Sequence, residues 1–530
     1  MAQQPSNILL IHSDQHRYDC LGLHGHPRLQ TPHLDRLAAQ GTDFSHAFTP
    51  SPICSPARAS LMTGRWPSQH RCVNIPPFEG YQPARVESPV VWQLLRGAGF
   101  RQAHFGKYHG ELPGLPTDYG VDRYAWEEDD YDDWREQRGL EPRVRRNGWF
   151  GEVDPRTRVQ DSRLVWGADL ASRAIEDFSA EGRPFFVRWD PSEPHLPCMI
   201  PREIADLYPP ESLEPWPSFA DPLENKPPMQ RQQQRAWGVE GWSWEQWAPV
   251  VSRYLAEITL LDRCVGQLLQ TLEDRGLRES TLVIYSTDHG DLCGGHGMMD
   301  KHYMMYDDVL RVPLIMSQPG TVPAGQTCDA MVIHELDLAA TLVGAAGLEV
   351  PETFAGRDLR PVLRGDQTLD RPDVFSQYFG CQFGLYSSRM VRDRRWKYVW
   401  NATAPDELYD LQQDPVEFVN RIDDPAAQGE LTRLRQRMIH WCQSTGDRLL
   451  NEFTRWQLEA TPPAPARPDA DSDADGENAG HGNLEARGEA APPRPDHVAA
   501  VPAAPVRAVA DADNPPPPRS PASAPRSLAM

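Results

Sequence analysis

The sequence predicts an α/β protein: a large, mostly parallel sheet flanked by helices, then a smaller C-terminal α+β domain and a disordered tail. Three observations lead there. Strand-like and helix-like segments alternate through the first 365 residues, which is the signature of a sheet built from crossover units. Polar, chemically versatile residues gather where the predicted strands end, the place at which open α/β sheets bind their ligands. Near residue 459 the composition changes abruptly.

The elements follow in order. "NILLIHS" is an apolar run of strand length, and "TPHLDRLAAQG" a short helix ended by Gly41. "SPVVWQLLRGAG" is a second helix closed by Gly97 or Gly99, and "FRQAHFGK" the next strand. "PFFVRWDPSEP" runs from a strand into a proline-rich loop. "PVVSRYLAEITLLDRCVGQLLQTLEDRG" has the apolar spacing of a long amphipathic helix and leads into "STLVIYSTDHG", a strand with a polar end. Before that helix, the tryptophan-rich stretch at 237–247 reads first as rings that pack a loop onto the domain, with stacking on a sugar or aryl ring as the alternative. The sheet domain thus spans 1–365. Residues 366–458 form the smaller domain, with the β pieces "DVFSQYF", "SSRMVRD" and "RWKYVW" and the helix "LTRLRQRMIHWCQ". Residues 459–530, rich in Pro, Ala and Asp, hold too little apolar surface to offset ordering entropy.

Composition narrows the function. A net charge of −22 over 530 residues repels polyanions and so excludes nonspecific binding to nucleic acid or an acidic membrane surface. Nine scattered cysteines without a CxxC pair support neither a disulfide framework nor a zinc ribbon. The start "MAQQPSNILLIHSDQ" lacks the pattern of a signal peptide, so a cytoplasmic location is expected. Of 53 basic residues only Lys107, Lys226, Lys301 and Lys397 are lysine. A chain so biased towards arginine keeps lysine where a compact ammonium on a flexible stem is needed.

The chemistry centres on "SPICSPARASLMTGR", residues 51–65. Cys54 falls just before a predicted helix N-terminus, where free N–H groups favour a thiolate or a bound oxyanion, and Arg58 lies one turn further on. A buried structural cysteine is the alternative reading of that segment alone. "HSDQ" ends one strand with Asp14 and Gln15, and "STDHGD" ends another with Asp288 and His289. Two carboxylates, an amide oxygen and an imidazole at neighbouring strand ends make a mostly oxygen site for one divalent cation. "FGKYH" adds Lys107 and His109, "EPHLP" adds His195 and "MMDKHYMMY" adds Lys301, whereas His24, His26, His104 and His302 are read as structural.

With these residues assembled, the chain resembles the type I sulfatases of the alkaline phosphatase-like superfamily. C-S-P-A-R matches their formylglycine motif C-x-P-x-R, and the resemblance continues through "TPHLDRLAAQGTDFSHAF", "GKYH", "TDHGD" and "ELYDLQQDPVEFVN", over about residues 6–425. It implies that a maturation enzyme oxidises Cys54 to formylglycine, whose hydrated aldehyde attacks the sulfur of a small-molecule or glycan sulfate ester. Arg58 would hold the modified residue and its developing anion. Asp14, Gln15, Asp288 and His289 would hold the cation, with calcium expected first and manganese as the alternative. Lys107, Lys301 and His195 would bind the sulfate oxygens, His195 or Lys301 would protonate the leaving group, and His109 would deprotonate the second hydroxyl. The chain departs from the common pattern at Gln15, where aspartate is usual, at His289, where asparagine is usual, and at Gln102, where Ser or Thr is usual. Gln15 with His289 resembles the phosphonate monoester hydrolases and choline sulfatases of the family. A phosphonate monoester or phosphodiester hydrolase is therefore the second expectation, and a non-catalytic protein that binds sulfated ligands the third.

Overall fold

In the computed structural model, which describes residues 7–78, 80–143, 148–380 and 386–459, eight strands form the central sheet. They are β1 (Asn7–Ser13), β2 (Thr42–Phe44), β3 (Arg101–Gly106), β4 (Arg123–Trp126), β5 (Phe185–Asp190), β6 (Thr281–Thr287), β7 (Leu314–Ser317) and β8 (Gln326–Cys328). Their lateral order is β8-β2-β7-β6-β1-β5-β3-β4. All run parallel except β7, which is antiparallel to both its neighbours. β1 is central: Ile11 stands opposite Tyr285 on one side and Trp189 on the other.

Both faces of β1 are buried, which is why it reads as a continuous apolar run. Leu9 and Ile11 join the core beneath α1 (Pro32–Ala39), α3 (Arg163–Ala180) and α4 (Trp244–Asp274). Ile8 and Leu10 face the opposite core, beneath α2 (Cys54–Thr63) and α5 (His334–Ala345). α4 starts five residues before the expected Pro249, which sits inside the helix. The Gln246 amide oxygen accepts from the Ser243 N–H at 3.0 Å, so the start is set there and the proline is accommodated within the early turns. The tryptophan stretch packs as expected: Trp242 lies 5.2 Å from Trp247 and 4.9 Å from Phe150, ring centre to ring centre.

A second, antiparallel sheet comprises β9 (Val374–Tyr378), β10 (Ser388–Arg392), β11 (Trp396–Asn401) and β12 (Glu407–Asp410), in that order. Leu431, Leu434 and Met438 of α6 (Gln428–Thr445) cover one of its faces. The chain groups into one unit over Met1–Pro462 and another over Pro463–Met530. The expected tail lies, from residue 460 on, outside the described residues. Among the described residues eight cysteines are free, all but Cys328 buried, and no helix is long and apolar enough to cross a membrane.

The small sheet matters to the large one through Lys397. Its buried ammonium donates to the Met305 carbonyl at 2.9 Å and pairs with Asp307 at 2.6 Å and Glu417 at 2.7 Å. It thereby holds the segment that follows Lys301. Burial pushes the Asp307 carboxyl up, but Arg392, Lys397 and Arg311 outweigh it and hold it well below the usual carboxylate range. A depressed folded-state pKa means that the Asp307 contribution is fully present above about pH 4 and is lost as the pH falls further. Lys397→Ala is expected to cost about 3 kcal/mol in denaturant unfolding, because it leaves the buried Glu417 carboxylate without its cation. The acid-induced fall in melting temperature should be shallower in Asp307→Asn than in the parent.

Candidate active site

Three neighbouring strands end in aspartate: Asp14 follows β1, Asp190 closes β5 and Asp288 follows β6. Unbalanced, these buried carboxylates would repel one another. Arg58, one turn into α2 and fully buried, crosses to all three. Its Nε donates to Asp288 Oδ2 at 2.8 Å, its Nη1 to Asp190 Oδ2 at 2.5 Å and its Nη2 to Asp14 Oδ2 at 3.1 Å. A fourth bond, at 3.3 Å, reaches the Ser13 carbonyl. Arg188 also pairs with Asp190, Nε to Oδ1 at 2.8 Å. The guanidinium is thus committed to the strand ends.

Cys54 is itself the first residue of α2, so the helix begins one position earlier than the sequence suggests, because Ile53 takes the extended N-cap conformation. No side chain caps this end, so its N–H groups are free to face a ligand. The Cys54 Sγ lies 3.2 Å from His289 Nε2, 3.7 Å from Lys107 Nζ and 3.8 Å from Asp14 Oδ1. Burial and Asp14 push the thiol up, but Lys107, Lys301 and His289 together hold it well below its ordinary value.

Lys107 follows β3 through Gly106, whose φ of 102° and close approach to the Asp190 carbonyl exclude a side chain: a Cβ would stand 2.1 Å from that oxygen. The turn delivers Lys107 Nζ to Asp14 Oδ2 at 2.7 Å. His109 is half-buried, with no partner at Nδ1. Burial and then Lys107 hold its ring below the ordinary histidine range, so it is neutral and free to accept a proton. Ser55 in the first turn of α2 donates to the His109 carbonyl at 2.6 Å and ties the two segments together. Across the site, Lys301 Nζ lies 2.7 Å from His195 Nε2 and 2.5 Å from Gln15 Oε1. His195 Nδ1 is 2.6 Å from the Leu196 carbonyl, which fixes the proton there and leaves Nε2 to accept from Lys301. Burial, then Lys301 and Lys107, lower His195 to about 4.

The donor set fits a divalent cation. Asp14, Cys54, Asp288 and His289 place ligating atoms within 4.8 Å of one another. His289 Nδ1 donates to the Gly290 carbonyl at 2.9 Å, which aims Nε2 at the cluster as metal-binding imidazoles are aimed. Burial and then Asp14 raise Asp288 to about 7, and Asp288 and Cys54 raise His289 to about 9 against burial.

Gln15 reaches the same place with a left-handed backbone, φ 66°, its N–H donating to Asp288 Oδ1 at 3.2 Å. Its amide oxygen faces Lys301, and its Nε2 donates to Asp291 at 2.7 Å and Asp300 at 3.1 Å. Asp190, Asp291 and Asp300 escaped the sequence reading. Asp190 could have been found by the rule that singled out Asp14, a carboxylate at a strand end. His302, read as structural, holds Asp300 at 2.7 Å.

The sulfatase family model matches residues 6–348, and the C-terminal model of N-sulphoglucosamine sulphohydrolase matches residues 294–444. The chain belongs to the sulfatase family of hydrolases, within the alkaline phosphatase-like superfamily. It is 28% identical over 476 residues to an uncharacterised sulfatase, YidJ, of Escherichia coli, covering 86% of this chain and 90% of that one. It is 27% identical over 478 residues to a choline-sulfatase of Rhizobium meliloti, covering 85% and 90%. The structure of a phosphonate monoester hydrolase from Silicibacter pomeroyi superposes with a TM-score of 0.72 at 24% identity, covering 84% and 96%, a likeness of fold.

Arg58→Met should leave three buried carboxylates without their shared cation. An unfolding loss of about 3–5 kcal/mol or failure to fold is expected, read by thermal melts and soluble yield.

Proposed function

We propose that this protein hydrolyses an organic sulfate ester, small-molecule or glycan, with formylglycine made from Cys54 and one divalent cation held by Asp14, Gln15, Asp288 and His289. Calcium is the first candidate for that cation and manganese the alternative, favoured by the imidazole. The observation that carries the proposal is the position of Cys54: at an uncapped helix start, with Lys107, His289 and the Lys301–His195 pair around it. A cation bound here would draw charge from the sulfate oxygens and from the attacking hydroxyl.

The chain's own residues supply the remainder. Lys107 and Lys301 bind the sulfate oxygens and neutralise charge as it shifts towards the leaving oxygen, while His195, accepting from Lys301 at Nε2, holds that ammonium in place. As the sulfur–oxygen ester bond breaks, Lys301 gives the alkoxide its proton, since the resting arrangement places the shared proton on Lys301 and the lone pair on His195. His109 then removes the proton of the second hydroxyl of the hydrated residue 54, sulfate departs and the aldehyde is restored. Arg58, bound to three carboxylates, acts by fixing α2 and the strand ends around residue 54. Maturation requires a formylglycine-generating enzyme.

A phosphonate monoester or phosphodiester hydrolase is the second reading. It is favoured by Gln15 and His289, and its substrate carries the same single negative charge. The third, a non-catalytic binder of sulfated ligands, is opposed by the retention of Cys54 and Lys107.

Mass spectrometry of the peptide containing Cys54, from protein made in its native host, is expected to show the aldehyde. An unmodified thiol in fully active protein would refute the nucleophile assignment. Cys54→Ala should abolish turnover of 4-nitrophenyl sulfate with the fold intact by circular dichroism. Cys54→Ser should release one equivalent of alcohol and stall, because a sulfated serine cannot eliminate. Exhaustive chelation should lower both activity and melting temperature, and readdition of calcium or manganese should restore them.

A further inference from the structure

Gln15 is fully buried against two acids of the segment that follows β6, Asp291 and Asp300. Each acid spends one oxygen on its own segment. Asp291 Oδ1 accepts the Cys293 N–H at 2.8 Å, and Asp300 Oδ2 lies 2.7 Å from His302 Nε2. The other oxygen of each is turned to the amide, so that Gln15 Nε2 donates to Asp291 Oδ2 at 2.7 Å and to Asp300 Oδ1 at 3.1 Å. An amide nitrogen carries two hydrogens, and both are taken. The Gln15 oxygen therefore faces the other way, where it meets Lys301 Nζ at 2.5 Å.

The backbone adds a second constraint. Gln15, Asp300 and His302 hold left-handed φ angles of 66°, 73° and 86°, which cost energy in residues other than glycine and persist only where the surroundings enforce them. At Asp300 the enforcing group is its own carboxylate, which reaches His302, Gln15 and, at 3.3 Å, Lys301 Nζ. Lys301 lies between the two strained residues, so one carboxylate sets both the course of the chain through Lys301 and the amide opposite it. Asp300 and Lys301 line a cavity of about 840 Å³ that Lys107, His109 and His195 also line.

We propose that Asp291 and Asp300 are positioning residues that orient the Gln15 amide, so that its oxygen rather than its nitrogen is presented to Lys301 and to the cation, and that this cradle is what requires an amide at position 15. The oxygen has two lone pairs, one for the ammonium and one for the cation. A reversed amide would set its hydrogens against Lys301, which can only donate. A carboxylate at position 15 would set an oxygen against two buried acids. The inference rests on the sulfatase reading for the cation, whereas the hydrogen bonds that carry it stand without turnover.

The test exchanges amide and acid. In Asp291→Asn the Cys293 N–H keeps the side-chain oxygen, so the new nitrogen faces Gln15 Nε2, donor against donor. Gln15→Glu opposes like charges. In the double variants Gln15→Glu with Asp291→Asn and Gln15→Glu with Asp300→Asn, the introduced amide can donate to the introduced carboxylate, and the net charge equals that of the parent. Calcium and manganese are titrated by calorimetry into the chelated full chain. Asp291→Asn and Gln15→Glu are each expected to bind the cation about tenfold more weakly than the parent, the loss usual for a group that orients a metal ligand, and each double variant should recover most of what Gln15→Glu loses. A general effect of charge predicts the opposite for Gln15→Glu, which adds a negative group and would bind more tightly. Should Gln15→Glu fail to fold, recovery of soluble protein in the double variants reads the same coupling.

Gln15→Glu that binds as tightly as the parent, or a loss that neither exchange restores, would overturn the cradle and leave the sulfatase reading standing if 4-nitrophenyl sulfate is still hydrolysed by the parent. The expected coupling in a protein that hydrolyses no sulfate ester would support the cradle and sink the sulfatase reading. A parent that binds neither cation would sink both.

Discussion

Everything in the site hangs on one buried guanidinium. β6, β1 and β5 lie side by side, and each brings a carboxylate to the same edge of the sheet. Parallel strands make this convergence easy to build and costly to keep, because like charges in a low-dielectric interior repel strongly. Arg58 resolves the conflict with three of its donors, and a planar fork does this where a lysine would not. The same bonds dock α2 against the strand ends and so fix the helix start, where residue 54 sits. Asp14, Asp288 and residue 54 are therefore positioned by a single set of interactions, and a change in one would disturb the others.

The second half of the site is held from further away. Lys301 lies in a segment whose own side is secured by Asp300 and His302, and whose continuation is gripped by Lys397 of the small sheet. That sheet thus contributes rigidity to a residue it never touches. Opposite Lys301, His195 stands on the loop after β5, in the lining of the same cavity.

Much of this was legible in the sequence, for a physical reason. Asp14, Gln15, Asp288 and His289 directly follow apolar strands, so a linear pattern locates them in space; Cys54 and Arg58 are placed in the same way by helix geometry. What escaped depended on side-chain direction or on distant partners. Arg58 was expected to face residue 54 and instead serves the three aspartates. The Gln15 amide turns to Lys301, Asp291 and Asp300, all three of which lie far along the chain in a segment with no periodicity. The helix containing Pro249 begins earlier than its proline suggests, because Ser243 and Gln246 form the start.

The scarcity of lysine has a practical side. All four ammonium groups are buried, at 9%, 8%, 2% and 0% exposure for Lys107, Lys226, Lys301 and Lys397. Two line the catalytic cavity, and the other two are locked into ion pairs beneath the small sheet. An amine-directed reagent therefore meets a surface armed with guanidinium rather than primary amine. Lysine conjugation, which on most proteins decorates the exterior at random, finds here only buried ammonium groups, and in the cavity Asp14 beside Lys107 and Asp300 beside Lys301 keep them protonated and unreactive.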